Sequence, residues 1–144
     1  MIFFAISHHC TEESCPSMTA GQMYEYLWAD GKMYKKPTKL PASQYIKLLR
    51  EWVNEHIDNP QIFPTDVATP FPPTFLAQLA PTIFRRLLRV YAHLYYHHYN
   101  QLSQLGLDTM LNTSFNHFTL FVTRWELVNN QELAPVKDII KSMI

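Results

Sequence analysis

Two cysteines near the amino terminus are spaced so that both could bind one metal ion. Cys10 and Cys15 are separated by four residues, which lets both sulfurs reach one Zn²⁺ at about 2.3 Å. A structural zinc takes four ligands, so the pair supplies only half of them. Two buried thiols or a disulfide remain the alternative for these cysteines.

The other two ligands could be imidazoles on a predicted long helix at 83–102. Helical periodicity places His93 and His97, four residues apart, nearly above one another on one face. His98 points more toward the apolar side, where a neutral, hydrogen-bonded histidine is an ordinary finding. Spacing alone therefore favours His93 and His97. The resulting Cys2His2 site would tie the N-terminal segment to the helix.

The same predicted helix carries residues that are suited to anion binding. Arg85, Arg86 and Arg89 fall within about one quadrant of the helix. Their planar guanidinium groups could converge on one phosphate through charge-assisted hydrogen bonds. A solvated basic face is the alternative, because runs of charge often serve only solubility. We expect this face to be exposed to solvent and to tolerate substitution without loss of the fold.

No signature of catalysis emerges from the sequence. Its three glycines, Gly21, Gly31 and Gly106, are too scattered to form a phosphate-binding loop. There is no kinase catalytic loop, nucleophile elbow or histidine-glutamate metalloprotease motif. Four protein ligands on a zinc ion would also leave no open position for a substrate. A zinc-dependent hydrolase is therefore only the alternative to a non-catalytic binding protein.

Composition limits the class of protein further. With 144 residues, 47% of them hydrophobic, the chain is the size of one ordered domain, which we place at 1–144. Twelve basic and twelve acidic residues balance, which predicts no nucleic-acid partner. No stretch approaches the roughly 20 apolar residues of a membrane span. Two cysteines do not make a secreted disulfide framework, so we expect an intracellular protein.

Hydrophobic periodicity predicts a mainly α-helical bundle. Pro41 opens an amphipathic helix, since proline is tolerated in a first turn. The segment 59–73 contains five prolines and is predicted to be a loop, held down by Phe63 and Phe71. A short helix before Pro81 is expected to break or kink at that proline before the long helix begins.

The second half of the chain continues the helical pattern. Gly106 suits the left-handed residue that ends the long helix region. Thr113 is a candidate N-cap for a buried helix, whose apolar positions are Leu111, Phe115, Phe118, Val122 and Trp125. Pro135 then opens a last amphipathic helix.

One β-hairpin is predicted, at 24–34. Asp30-Gly31 suits the central positions of a two-residue type I′ turn. With that turn, the cross-strand pairs would be Trp28 with Met33 and Glu25 with Lys36.

Four motifs of the chain closely resemble those of the Mob family of kinase coactivators. They are CTEESCP at 10–16, YEYLWADG at 24–31, RRLLRVYAH at 85–93 and LNTSFNHF at 111–118. The resemblance runs in order from about Phe4 to the C-terminus. It implies a Mob-type helical bundle with a small hairpin and a zinc staple.

The resemblance also implies site residues. The zinc ligands of the family fall on Cys10, Cys15, His93 and His98, which replaces the choice of His97 made from periodicity. The family's phosphothreonine pocket falls on the three arginines, with additional contributions from two lysines; the five residues are Arg85, Arg86, Arg89, Lys35 and Lys36. His117 matches a position near the surface that binds the kinase.

The implied function is that of a non-catalytic adaptor. The partners would be NDR/LATS-type protein kinases and phosphorylated Ste20-like kinases or scaffolds, in Hippo or mitotic-exit-type signalling. We expect a cytoplasmic protein that also enters the nucleus. A zinc-dependent hydrolase and a kinase-independent scaffold are the alternatives.

One departure from the family concerns the N-terminus. Mob proteins carry an N-terminal extension with a helix that contacts the kinase, and this chain begins just before the metal cysteines. Met1–Ile6 is apolar without an obvious partner in the chain, so we expect exposed apolar surface there. Self-association or low solubility would follow.

Overall fold

The computed structural model of the chain describes residues 2–143. Seven α-helices and one two-stranded sheet occur within this range, and their bounds in chain order are α1 (Ile2–Ala5), β1 (Met18–Ala20), β2 (Tyr24–Tyr26), α2 (Ala42–Ile57), α3 (Ala80–His97), α4 (Tyr99–Gln104), α5 (Asp108–Arg124), α6 (Asn130–Leu133) and α7 (Lys137–Ser142). A π-helical turn, Phe75–Leu79, leads into α3, and a 3₁₀ turn, Ala134–Val136, leads into α7. The predicted mainly α architecture with one small hairpin is confirmed.

Helix α3 lies between two apolar cores. On one side Leu94 packs with Tyr45 and Leu49 of α2 and with residues of the N-terminal segment and α5. On the other side Leu88 and Ala92 pack with β1, α5 and the C-terminal turns. Because α3 contributes to both cores, its position is fixed by packing on two sides. None of the described helices is both long enough and apolar enough to cross a membrane.

The predicted single helix at 83–102 is interrupted in the structure. Helix α3 ends at His97, and His98 has φ −132° and ψ 8°, outside helical geometry, before α4 begins at Tyr99. Pro81 lies in the first turn of α3, where proline needs no amide hydrogen, so it does not separate α3 from the preceding π-helical turn. The long helix of the sequence is thus two helices that meet at a histidine.

The hairpin forms one strand earlier than predicted. β1 and β2 are antiparallel and pair Met18 with Tyr26, so Glu25 lies opposite Thr19 and not Lys36. Gly21, at φ 71°, lies in the turn between the two strands. The predicted hairpin at 24–34 is therefore wrong, although Tyr24–Tyr26 is a strand.

A wide loop replaces the predicted type I′ turn. Trp28 pairs with Thr38 and not with Met33, through two backbone hydrogen bonds of 2.8 Å. The carboxylate of Asp30 accepts from the backbone amides of Lys32 and Tyr34 at 2.9 and 3.0 Å. An aspartate side chain that accepts hydrogen bonds from the backbone amides that follow it stabilises a loop longer than a two-residue turn.

The other helix boundaries follow the sequence signals in part. α2 begins directly after Pro41, and Gly106 follows α4 at φ 73°, both as predicted. α5 begins at Asp108, so Thr113 lies inside the helix and is not its N-cap.

Trp125, predicted as part of the buried face, is 60% exposed. The loop at 59–73 is held by Phe63 and Phe71, whose rings pack with each other and with the ring of Phe75.

Candidate functional site

Four buried side chains form a compact cluster between the N-terminal segment and the end of α3. The metal-binding atoms of Cys10, Cys15, His93 and His98 all lie within 4.8 Å of one another. Cys10 Sγ is 3.5 Å from His93 Nε2, and Cys15 Sγ is 3.5 Å from His98 Nε2. A tetrahedral zinc with standard bond lengths separates its sulfur and nitrogen ligands by about 3.6 Å. The cluster is therefore able to hold a metal ion.

The second ring nitrogen of each histidine in the cluster has its own partner. His93 Nδ1 donates to the backbone carbonyl of Thr19 at 2.8 Å, and His98 Nδ1 donates to the side-chain carbonyl of Gln101 at 2.6 Å. A ring that donates from Nδ1 has an unprotonated Nε2 when it is neutral. This tautomer is the one that binds a metal through Nε2.

The break between α3 and α4 brings the two rings together. Residues five apart on a regular helix differ by about 140° in direction, so His93 and His98 would not meet on an unbroken helix. With the non-helical backbone of His98, their ring centroids lie 5.1 Å apart. The irregular backbone at this histidine is therefore part of the site.

His97 lies near the cluster but outside it. Its Nε2 accepts from the backbone amide of Gly21 at 3.3 Å and contacts Thr19 Oγ1 at 2.9 Å. That nitrogen is used to hold the β1–β2 turn, so the choice of His97 from periodicity is wrong. The structure brings His98 to the cysteines, as the family resemblance implies.

Local hydrogen bonds position the two cysteines. Ser14 Oγ donates to the backbone carbonyl of His9 at 2.6 Å, and the Cys15 amide donates to Thr11 at 2.9 Å, which closes the turn between the sulfurs. The carbonyl of Cys15 in turn accepts from the amide of Ala42 at the start of α2. Both residues are buried free cysteines in the structure.

Burial sets the protonation of the cluster. It raises the pKa of the Cys10 thiol to about 12, with the neighbouring Cys15 sulfur acting in the same direction. Burial also lowers the pKa of His93 to about 4 and lowers the pKa of His98. The imidazoles are thus neutral at pH 7, ready to donate lone pairs, while a bound divalent cation would displace the thiol proton. Two sulfurs and two neutral imidazoles are the donor set that zinc prefers in closed structural sites.

A second site lies about two helical turns earlier on α3, where Arg86 is enclosed by aromatic rings. Its guanidinium carbon is 4.7 Å from the ring centroid of Trp28 and 4.5 Å from that of Trp52. Nη2 donates to the backbone carbonyl of Ala29 at 2.8 Å. Burial lowers the pKa of Arg86, since it disfavours the charged form. Arg86 therefore helps to hold the 28–38 loop on the helix.

Arg89 is held in a similar environment one turn further along. Its Nη1 donates to the hydroxyl of Tyr45 at 2.8 Å, and its guanidinium lies 4.9 Å from the ring centroid of Tyr26. Both arginines, and Arg85 beside them, are only partly exposed. The expectation of a fully solvated arginine face is therefore wrong, because the bulky aromatic residues of α2 and of the 24–28 segment pack against it.

The two enclosed arginines lack negatively charged partners. Nη1 of Arg86 and Nε of Arg89 are buried without a hydrogen-bond partner. Within residues 2–143 the one salt bridge joins Lys32 to Glu55 and involves neither arginine. A buried N–H group without an acceptor and a partly buried charge without a counter-ion are both unfavourable. An anion bound at the exposed part of the two guanidinium groups would supply the missing counter-charge.

The remaining predicted site residues are all exposed. Lys35 and Lys36 lie on the loop that also supplies Ala29 to Arg86. His117 lies on α5 and is not a member of the metal cluster. Sequence reasoning missed Tyr45 and Trp52 as neighbours of the arginines, because their spacing on α2 indicates only a buried apolar face.

An open apolar cleft of about 610 Å³ adjoins the first core. Helices α1, α2, α3 and α5 line it, and Ile2, Phe3, Val53, Leu87 and Met110 are among its residues. Met1 lies outside the described residues. Ile6 is fully buried and Phe3 packs on the core, so the expectation that the N-terminal segment has no partner is wrong for these two. Phe4 is 53% exposed.

Comparisons with known proteins agree on one family. A model of the Mob1/phocein family matches residues 1–136. The chain is 45% identical over 143 residues to MOB kinase activator 3A of Mus musculus, which covers 99% of this chain and 65% of that protein. It is 42% identical over 144 residues to maintenance of ploidy protein mob1 of Schizosaccharomyces pombe, covering 100% of this chain and 68% of that protein. MOB kinase activator 3B of Homo sapiens is 44% identical over 143 residues, with 99% and 66% covered. The chain thus spans about two thirds of the length of these relatives.

Proposed function

Because the chain belongs to the Mob1/phocein family, we propose that it is a non-catalytic adaptor that binds and activates protein kinases of the NDR/LATS type. Relatives that are about 45% identical are named kinase activators, which supports this role. The name of the fission yeast relative refers to maintenance of ploidy, which favours signalling at cell division. Hippo or mitotic-exit-type pathways, acting in the cytoplasm and the nucleus, are the setting that we propose.

The adaptor would recognise phosphothreonine through the arginines of α3. The observation that carries this proposal is the pair of enclosed guanidinium groups, Arg86 and Arg89, neither of which has a carboxylate partner among the described residues. A phosphothreonine brings about −1.5 to −2 charges and three strong acceptor oxygens. Arg85 on the same helix and Lys35 and Lys36 on the adjacent loop would add positive charge around the phosphate.

Zinc would act as a structural ion in the Cys2His2 cluster. The ion would join Cys10 and Cys15 of the N-terminal segment to His93 and His98 at the end of α3. A closed site of this kind can contribute about 10–16 kcal/mol of apparent binding free energy. Four protein ligands leave no position for a substrate, so we do not propose a zinc-dependent hydrolase.

The activity that we propose is tested with a purified NDR/LATS-type kinase that retains its regulatory segment. Kinase activity is measured with and without the zinc-loaded chain, with the homologous MOB kinase activator as positive control. We expect the chain to increase phosphorylation of a substrate peptide. Binding to phosphopeptides without any increase in kinase activity would contradict the coactivator role and favour a kinase-independent scaffold.

The phosphoprotein partner is found in a second experiment. Proteins from a lysate are captured on the immobilised chain before and after phosphatase treatment. We expect phosphorylated Ste20-like kinases or scaffolds to be retained only from the untreated lysate. Retention that is insensitive to phosphatase would contradict phosphothreonine recognition.

A further inference from the structure

Tyr45 is a fully buried residue of α2 that contacts the arginine pocket through its only polar atom. Its hydroxyl accepts the hydrogen bond from Arg89 Nη1 at 2.8 Å. Burying a hydroxyl is unfavourable unless it is hydrogen-bonded, and a phenylalanine would fill the same apolar space without that cost. We therefore attribute the role of the Tyr45 hydroxyl to its hydrogen bond with Arg89.

The ring of Tyr45 also connects the two enclosed arginines. It packs edge-on against Trp28, with ring centroids 5.3 Å apart, and Trp28 lies against the guanidinium of Arg86. One side chain thus touches Arg89 directly and Arg86 through a single aromatic ring. Neither arginine has a carboxylate partner within the described residues, so these neutral contacts hold both guanidinium groups in place without neutralising them.

The contact with Tyr45 occupies one nitrogen of the Arg89 guanidinium and fixes the direction of the group. The hydrogen bond to Tyr45 uses Nη1, while the buried Nε has no partner. A guanidinium group that is already oriented loses less conformational entropy when it binds a phosphate than a mobile side chain does. We propose that Tyr45 is a positioning residue of the phosphate-binding pocket, whose hydroxyl fixes the orientation in which the partly exposed Arg89 guanidinium meets a phosphate. This inference rests on the proposed recognition of phosphothreonine.

A double-mutant cycle tests whether Tyr45 acts through Arg89. The probe is a phosphothreonine peptide from a Ste20-like kinase, titrated against wild type, Tyr45→Phe, Arg89→Ala and the double variant. Losing the hydrogen bond that orients Arg89 should weaken binding by about three- to tenfold in Tyr45→Phe. In the Arg89→Ala background the same change should weaken binding less than about twofold, because the group that it positions is gone. Tyr95→Phe is the matched control, since it removes a comparable hydroxyl contact, to Asn112, at a residue outside the pocket.

The outcomes separate this inference from the function on which it rests. If wild type binds the phosphorylated and unphosphorylated peptides equally, the proposed function and this inference are both overturned. If wild type prefers the phosphopeptide but Tyr45→Phe binds it as tightly, or loses the same factor in both backgrounds, only the positioning role is overturned. A loss in Tyr95→Phe as large as in Tyr45→Phe would likewise overturn it, because the effect would then be one of general stability.

Discussion

His93 donates its Nδ1 hydrogen to the backbone carbonyl of Thr19 at 2.8 Å. This single bond joins strand β1 to helix α3 and sets the tautomer whose Nε2 lies 3.5 Å from the Cys10 sulfur. The next residue of the strand, Ala20, packs against α3 in the second core. The metal cluster and the hairpin are therefore parts of one structural unit, and several predictions about metal and ligand binding depend on it.

The first prediction concerns metal content. Protein purified without added metal should contain about one zinc per chain, as one closed tetrahedral site requires. Cys10→Ser and His98→Ala should each lower both the zinc content, measured by elemental analysis, and the melting temperature. His97→Ala is the matched control and should retain the metal, because His97 contacts the β1–β2 turn. If His97→Ala released the metal and His98→Ala did not, the assignment of the ligands would be wrong.

A second prediction links the metal to the arginine pocket. Tyr26, whose ring lies 4.9 Å from the guanidinium of Arg89, pairs with Met18 of β1, and β1 is joined to the metal ligand His93. Removing zinc with a chelator should loosen β1 and therefore weaken phosphopeptide binding several-fold before the chain unfolds. Circular dichroism at the same chelator concentration would show whether the helices persist. Unchanged affinity in fully metal-free, folded protein would contradict this link.

A third prediction follows from the enclosure of Arg86. Its cation–π contacts and its bond to Ala29 are each expected to contribute about 0.5–2 kcal/mol, so Arg86→Ala should reduce the free energy of unfolding by roughly 2 kcal/mol. For a domain of this size the melting temperature should fall by about 4–8 °C. Arg85→Ala is the control, since the Arg85 side chain makes no hydrogen bond with the described residues, and it should melt within about 1 °C of wild type. Equal melting temperatures of wild type and Arg86→Ala would contradict a stabilising role for the enclosed guanidinium group.

How much of this could be predicted from sequence depends on the kind of signal. The helices α2 and α5 are visible because their apolar residues recur with a period near 3.6 over four turns or more. The position of His98 could not be obtained in that way, because periodicity assumes an unbroken helix and the backbone departs from one at this residue. Only the family resemblance indicated it.

The arginine pocket is a second feature that helical periodicity could predict only in part. Spacing placed Arg85, Arg86 and Arg89 on one face of a helix, which the structure retains. It could not show that Trp28 and Trp52 enclose Arg86, because contacts between distant segments leave no periodic trace in the sequence. The hairpin was misplaced for a related reason: Asp30-Gly31 fits a tight turn locally, but burial of Trp28 and its pairing with Thr38 decide the register.

A fourth prediction concerns the apolar cleft. Exposed apolar surface of this size favours association, so the chain should self-associate in a concentration-dependent manner in analytical ultracentrifugation. Met110→Lys places a charge at the lining of the cleft and should weaken the association. Leu120→Lys changes a residue of the same helix that is similarly exposed, at 62%, and does not line the cleft, so it should have little effect. A monomer at all concentrations would contradict this use of the cleft.

The central claim, that the enclosed arginines recognise phosphothreonine, is tested most directly by calorimetric titration of the zinc-loaded chain. Two peptides from a Ste20-like kinase are compared, identical except for the phosphate on one threonine. Each charge-assisted hydrogen bond contributes about 1.5–3 kcal/mol, so the phosphopeptide should bind at least tenfold more tightly, and Arg89→Ala should weaken its binding by roughly ten- to a hundredfold. The preference should also diminish as salt is raised. Equal affinity of wild type for the two peptides would contradict the account.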